Sequence, residues 1–331
     1  MIKSSLRKHL LRDNSYFATN SKFEKREDMS LNKRALELFE NNEYDEAFQL
    51  FKEASEVERG VQSLNNLAWI YLNEEEDKNV AKELLQEVLT FSPKSHFPYN
   101  MLGEIAVREG RFEEARHYLK QALAICHSDS AIHNLAIAYF HLGEFKQAAK
   151  EFAQVAKDSD LVRLNEVVSR IKAGDVVEAK AIIDGWNDQA DHYTGAIEVA
   201  DVYMELHCYN EARRMFEKEW TKSINGPYIV SRYAYTLMQL GEKEECMKVI
   251  NDAVVETEAT ILDVQQEPCD EHWTEAEKLE RIEELQAEKA ELKALFQMLQ
   301  AGMIPPFDYE LYPTGGCYLF GCKQHGHKEY K

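Results

Sequence analysis

Cys317, Cys322, His325 and His327 gather two thiols and two imidazoles within 11 positions near the end of the chain. Sulfur and nitrogen donors in that number are a ligand set for tetrahedral Zn²⁺. The spacing, Cys-x4-Cys-x2-His-x-His, is not a common finger or ribbon spacing. Ligands so close together need a tight knuckle, and Gly321 and Gly326 supply the backbone freedom for one. Two other readings stand beside the metal one. The surrounding segment, with Phe307, Tyr309, Tyr312, Tyr318 and Phe320 among Pro and Gly, is aromatic and non-helical. Rings left exposed would be a liability, so the segment is expected to dock on the preceding helix or in a groove. Pro313-Thr314-Gly315-Gly316 between two aromatic runs predicts a small hairpin or hooked loop. The last reading, a redox-active Cys pair, lacks the Cys-x-x-Cys spacing that lowers a thiol pKa.

Such a segment needs a rigid body to position it, and the upstream sequence supplies one by repeating itself. Gly110-Arg111-Phe112-Glu113-Glu114-Ala115, then Leu119 and Ala122, returns as Gly143-Glu144-Phe145-Lys146-Gln147-Ala148 and Phe152. The register recurs at Tyr44/Ala47/Phe51/Ala54, Ala81/Leu85/Val88, Gly174/Ala179/Ile183, Tyr209/Ala212/Phe216 and Gly241/Cys246/Ile250/Ala253. A period of 31 to 35 residues sustained along a chain signifies stacked supersecondary units. Within each unit a first helix carries apolar or small residues at i, i+3, i+4 and i+7, as in Leu64, Leu67, Ala68 and Tyr71. A turn follows, and the second helix places Ala where only a small side chain lets two helix axes approach. Seven hairpins are predicted, over about 29–60, 61–95, 96–128, 129–159, 160–192, 193–226 and 227–259.

Leu102-Gly103, Gly110, Phe112, Ala115, Leu119 and Ala122, with Leu135-Ala136, Tyr139, Gly143, Phe145, Ala148 and Phe152, resemble the tetratricopeptide repeat (TPR). The fifth hairpin departs from the pattern at Arg170, the seventh at Lys243 and Cys246, and the second carries an extra residue around Asp77–Asn79. The resemblance implies an all-α, right-handed superhelical solenoid whose first helices line a concave groove. A protein or peptide is then the expected partner. The family's carboxylate clamp for acidic tails is not expected, because Asn32 and Leu36 stand where its Lys and Asn would be and no third-helix Lys/Arg pair appears. What the first helices do offer is Asn66, Tyr99, Asn100, His133, Asn134 and Asn165, with Asn65 and His96 nearby. Amides on such a wall can hold a peptide backbone through paired donors and acceptors without selecting charge, or they can tie adjacent helices together. His9, His117, His141, His192 and His207 have no ligand-like spacing and are expected at the surface.

Four segments are expected. Residues 1–28 form a flexible basic arm, or lie upstream of a natural start at Met29. The repeat array occupies 29–262. A capping helix over 272–302 is announced by the Thr274–Glu277 capping box, ended by Gly302 and stopped by Pro305-Pro306. Its Leu285, Leu292 and Leu299 cover the open end of the last hairpin or pair with another chain, and the interruption at Glu288-Lys289 favours the cap. Residues 303–331 are the Cys/His tail. A net charge of −20 excludes phosphate-backbone binding as a main function. Nothing apolar is long enough for a membrane span, and six scattered Cys fit a reducing cytoplasm. No phosphate loop, nucleophile elbow or His-Glu-x-x-His occurs. The expectation is a non-enzymatic scaffold with no organic cofactor and Zn²⁺ as the one candidate ion; the alternatives are a peptide-responsive regulator, or a metal-binding protein whose C-terminal Cys/His site gates the groove.

Overall fold

The computed structural model describes residues 29–156, 159–186, 195–220 and 226–331. The expectations for the basic arm and for His9 and His192 lie outside these residues. Within them are fifteen helices and no strand. In chain order they are α1 (Leu31–Glu40) and α2 (Tyr44–Val57), α3 (Val61–Asn73) and α4 (Lys78–Thr90), and α5 (Phe97–Arg108) and α6 (Phe112–Ile125). Next come α7 (Asp129–His141) with α8 (Phe145–Val155), α9 (Asp160–Ala173) with α10 (Val176–Asp184), and α11 (Ala196–Glu205) with α12 (Tyr209–Glu219). Helix α13 (Pro227–Gln239) pairs with α14 (Lys243–Gln266), and α15 (Glu275–Gln300) closes the series.

The pairs begin and turn where local chemistry says they should. Ser30, Asp77, Ser128 and Ser159 cap α1, α4, α7 and α9 by accepting from amides of the first turn. Four of the turns place Gly110, Gly143, Gly174 or Gly241 in the left-handed region that closes a helix. Asn42, Glu76 and His207 do the same without glycine, Glu76 in the hairpin with the extra residue. Ala47, Ala115, Ala148, Ala179 and Ala212 are fully buried at the crossings, as the packing argument requires. Arg170, in the departing fifth hairpin, stays helical and pairs with Glu166 at 2.7 Å. Cys246 is fully buried, its thiol pushed up to about 11 by that burial, and it packs as a small hydrophobe.

Two compact units result, one running to Ile105 and including Gly315–Lys331, the other Ala106–Thr314. The first has a core of Ala35, Leu36, Ala47, Phe51, Leu67 and Ile70, completed by Leu319 and Cys322. Burying a residue such as Phe51, with no exposed surface, contributes roughly 1.5–3 kcal/mol. In the second, Leu292, Leu295 and Leu299 of α15 join a core drawn from α9 to α14. Helix α15 therefore caps the last pair. It opens on the expected capping box, with Thr274 Oγ1 accepting from the Glu277 amide and Glu277 reaching back to the Thr274 amide. Helix α14 keeps its buried stripe as far as Ile261, and its Glu258 pairs with Lys289 and Lys293 of α15. Among the described residues no helix is long and apolar enough to cross a membrane.

Candidate functional site: an amide-lined wall and the chain's own tail

In six of the seven first helices the residue six places after the N-cap forms one register column: Leu36, Asn66, Asn134, Asn165, Asp201 and Arg232. An α-helix repeats its direction over seven residues, so equal spacing from equal caps presents these side chains alike. Each of Leu36, Asn66, Asn134, Asn165 and Arg232 meets the tail.

In the first unit, the Phe320 amide donates to Asn66 Oδ1 at 2.8 Å and Asn66 Nδ2 donates to the Phe320 carbonyl at 3.0 Å. Asn65 Nδ2 donates to the Tyr318 carbonyl at 2.7 Å, and Trp69 Nε1 to the Gly316 carbonyl at 2.8 Å. Tyr318, Leu319 and Phe320 are all buried. The Phe320 ring packs at 4.8 Å from Phe97 and 5.2 Å from Tyr330, and Leu319 sits beside Leu36. Lys323 then reaches α1, its amide donating to Glu40 at 2.8 Å and its ammonium to Glu37 at 2.9 Å.

In the second unit, the Thr314 amide donates to Asn134 Oδ1 and Asn134 Nδ2 donates to the Thr314 carbonyl, both at 2.9 Å. His133 Nε2 lies 3.2 Å from the Tyr312 carbonyl and its ring packs edge-on to Phe152. Burial lowers its pKa, and the bond to Tyr312 opposes the shift, so the ring is a neutral donor at neutral pH. The Tyr309 hydroxyl donates to Asn165 Oδ1, with the phenol pushed up by burial. Arg232, 1% exposed, pairs with Asp201 at 2.7 Å and Glu205 at 3.1 Å, while Nη1 also lies 3.4 and 3.2 Å from the Pro305 and Pro306 carbonyls. Phe307 stacks under the guanidinium at 5.2 Å.

Within each unit, side chains expected on such a wall contact the chain's own tail. Of the predicted members, Asn66, His133, Asn134 and Asn165 bind tail atoms, as does Asn65. Asn100 is buried, and Tyr99 and His96 are half-buried on or beside α5. Of the two forms expected at Pro313-Thr314-Gly315-Gly316, a hairpin or a hooked loop, the hairpin is not formed. Those residues carry no turn: the Asn134 amide of α7 takes both backbone groups of Thr314 and the indole of Trp69 takes the Gly316 carbonyl, groups that a hairpin would pair internally. Arg232, Asp201 and Trp69 were not anticipated. Extending the asparagine column by repeat register would have found the first two. The surface expectation holds for His117, His141 and His207, all exposed.

The terminal knuckle brings Cys317, Cys322 and His325 together, their ligand atoms all within 4.8 Å of one another and Cys322 Sγ 3.3 Å from His325 Nδ1. The glycines expected to permit it, Gly321 and Gly326, have φ of 86° and 65°. His327 is not one of the three: its Nδ1 lies 3.0 Å from the Leu319 carbonyl, and its ring packs against Phe97 and, at 5.8 Å between centroids, against His325. Burial pushes the Cys317 thiol up to about 11, the opposite of what a redox nucleophile needs.

Comparison with known proteins bears on the repeats. A tetratricopeptide repeat model matches residues 106–161. No curated protein matches the chain. Among solved structures, a tetratricopeptide repeat protein from Parabacteroides merdae is 16% identical with a TM-score of 0.49, covering 72% of this chain and 98% of its own. NprR in complex with its cognate peptide NprX is 14% identical, TM-score 0.37, covering 82% and 83%. Yeast Tom70 is 14% identical, TM-score 0.39, covering 85% of this chain and 60% of its own. The matched segment spans α6, α7 and α8, where the chain is similar to tetratricopeptide repeats, and its small-residue crossings and glycine turns recur in the pairs on either side.

Proposed function

We propose that, within each unit, the amide-lined face of the first helices is a peptide wall, and that the protein is a non-enzymatic interaction scaffold whose resident occupant is its own tail. The observation that carries this reading is the pair of two-way amide contacts, Asn66 with Phe320 and Asn134 with Thr314. A side-chain amide that both donates to and accepts from one residue's backbone reads an extended chain whatever its side chains. Selectivity then comes from what surrounds the amides. In the first unit it favours an aromatic–aliphatic–aromatic run followed by a cation, since Tyr318, Leu319 and Phe320 are buried and Lys323 meets Glu37 and Glu40. A partner bearing such a segment competes with the tail, in a reducing compartment such as the cytoplasm where the six cysteines remain thiols.

The test is transfer of the tail. The array ending at Gly302 is mixed with a labelled synthetic peptide of residues 303–331, with helicity of the array checked by circular dichroism. Binding that is lost in Asn66→Ala/Asn134→Ala supports the wall. A helical array that ignores the peptide overturns it.

A further inference from the structure

We propose that Cys317, Cys322 and His325 form a Zn²⁺ site that fastens the terminal knuckle of the tail to α1 and α3. Tetrahedral Zn²⁺ with bonds of about 2.3 Å to sulfur and about 2.0–2.1 Å to nitrogen places its S and N ligands about 3.6 Å apart. The Cys322 Sγ to His325 Nδ1 separation is 3.3 Å, and all three ligand atoms fall within 4.8 Å. The three groups converge without a rearrangement of the fold.

The donor set fits the ion. Two thiolates neutralise its charge and one imidazole completes a soft-to-borderline triad, which suits Zn²⁺ and not Mg²⁺ or Ca²⁺. Binding releases the two thiol protons to solvent, and three protein ligands leave the fourth tetrahedral position to water. Glu37 and Glu40 stand beside the knuckle on Lys323, so the surroundings are acidic and favour a cation.

The backbone is already shaped as a cage. The His327 amide donates to the Cys322 carbonyl at 2.9 Å and the Gly321 amide to the Lys328 carbonyl at 3.1 Å, folding 321–328 back on itself. His327 holds the other side of the loop through Leu319. Cys322 is 4% exposed in the core that contains Leu36, Ala47 and Phe51, so an ion on its sulfur is tied to that core. His325 is exposed and gives the ion a way in. The consequence is control. With the ion bound, the tail is fastened on the first unit. With it removed, the first unit keeps the tail through Asn65, Asn66, Trp69, the Lys323 contacts with Glu37 and Glu40 and the buried rings, without that fastening.

The test uses the full chain, stripped by a chelator under reducing conditions and titrated with Co²⁺ and then Zn²⁺. Co²⁺ is expected to bind once per chain with thiolate-to-cobalt charge-transfer absorption, and Zn²⁺ to displace it. Hydrogen exchange over Gly315–Lys331 should slow when Zn²⁺ is added. His325→Ala removes an exposed ligand without touching the core, and is expected to weaken Co²⁺ binding at least tenfold, the order of effect seen when a metal site loses a supporting group. Cys317→Ser/Cys322→Ser should abolish the charge-transfer band. No such band in the native chain, or a band unchanged in His325→Ala, overturns the site. Zn²⁺ that binds but leaves exchange over the tail unchanged overturns the fastening.

Discussion

Asn66 and Phe320, 254 positions apart, exchange two hydrogen bonds: the backbone amide of one donates to the side-chain oxygen of the other, and the side-chain nitrogen returns a bond to the carbonyl. Asn66 has no exposed surface. The arrangement is that of one β-ladder rung, made by a helix side chain in place of a strand.

Asn66→Ala strands the amide and carbonyl of Phe320 without the side chain that satisfied them. A buried group left unsatisfied costs about 1–3 kcal/mol, so docking of the tail weakens by that order or more. Asn66→Asp is worse at neutral pH, since an ionised carboxylate still accepts from the Phe320 amide but opposes its carbonyl. Hydrogen exchange at Tyr318–Phe320 should rise in the order native, Ala, Asp. Equal protection in all three would remove Asn66 from the wall.

Arg232 supplies a second measurable dependence. Its guanidinium meets Asp201, Glu205 and two tail carbonyls while 1% exposed. Removing one member of a buried ion pair typically costs about 3–5 kcal/mol, because the other charge stays buried. Arg232→Ala should shift the denaturation midpoint of the chain strongly. Arg232→Lys should rescue little, since an ammonium lacks the planar fork that reaches several acceptors at once. Full rescue by Lys would mean that charge alone, and not fork geometry, matters there.

Those two sites differ in how far the sequence foretold them. Helix pairs were legible because their signals are local: a cap, an apolar stripe, a glycine turn, an alanine crossing. Asn66, Asn134 and Asn165 were legible as a column, because a polar amide inside an apolar stripe is conspicuous at repeat spacing. Arg232 and Asp201 occupy the same column but read as ordinary helix charges, since only three dimensions show that each buries the other. The course of the tail was not legible beyond its need to dock. Its contacts with the wall lie between 73 and 286 positions away in sequence, and periodicity carries no information at that range. The same limit explains the expected hairpin at Pro313–Gly316. Local turn chemistry favoured it, and remote side chains took its backbone groups instead.

Gly321 gives a conformational test of the knuckle. Its φ of 86° is strained for an L residue, and a Cβ there would stand 3.0 Å from Leu36 Cδ1. Gly321→Ala therefore meets the left-handed penalty, about 1–2 kcal/mol, together with a close contact against the core of the first unit. Faster proteolysis of the terminal residues, with the helical array intact by circular dichroism, is the expected result. Gly302→Ala is the comparison, having a similar φ of 94° but open space around its Cβ. It should leave the knuckle in place, and equal loss in both variants would show that the Leu36 contact contributes nothing.

His133 makes docking in the second unit depend on pH. Burial disfavours the imidazolium, so its pKa with the tail docked lies below the ordinary 6.5, with the Tyr312 carbonyl only partly opposing the shift. With the tail released the ring regains solvent and a pKa nearer that value. The released state therefore binds more protons in the window between the two, and docking strengthens as pH rises through it. Above about 6.5 both states are neutral and docking is at full strength; below it, docking weakens progressively until the lowered pKa is passed. Exchange of the Tyr312 and Thr314 amides, corrected for intrinsic rate, should accelerate on acidification from about pH 7.5 to about pH 5.5. His133→Gln keeps a neutral donor for the Tyr312 carbonyl and removes the titration, so its profile should be flatter over the same interval. A native profile as flat as that of His133→Gln would show that the ring keeps its solvent when the tail docks.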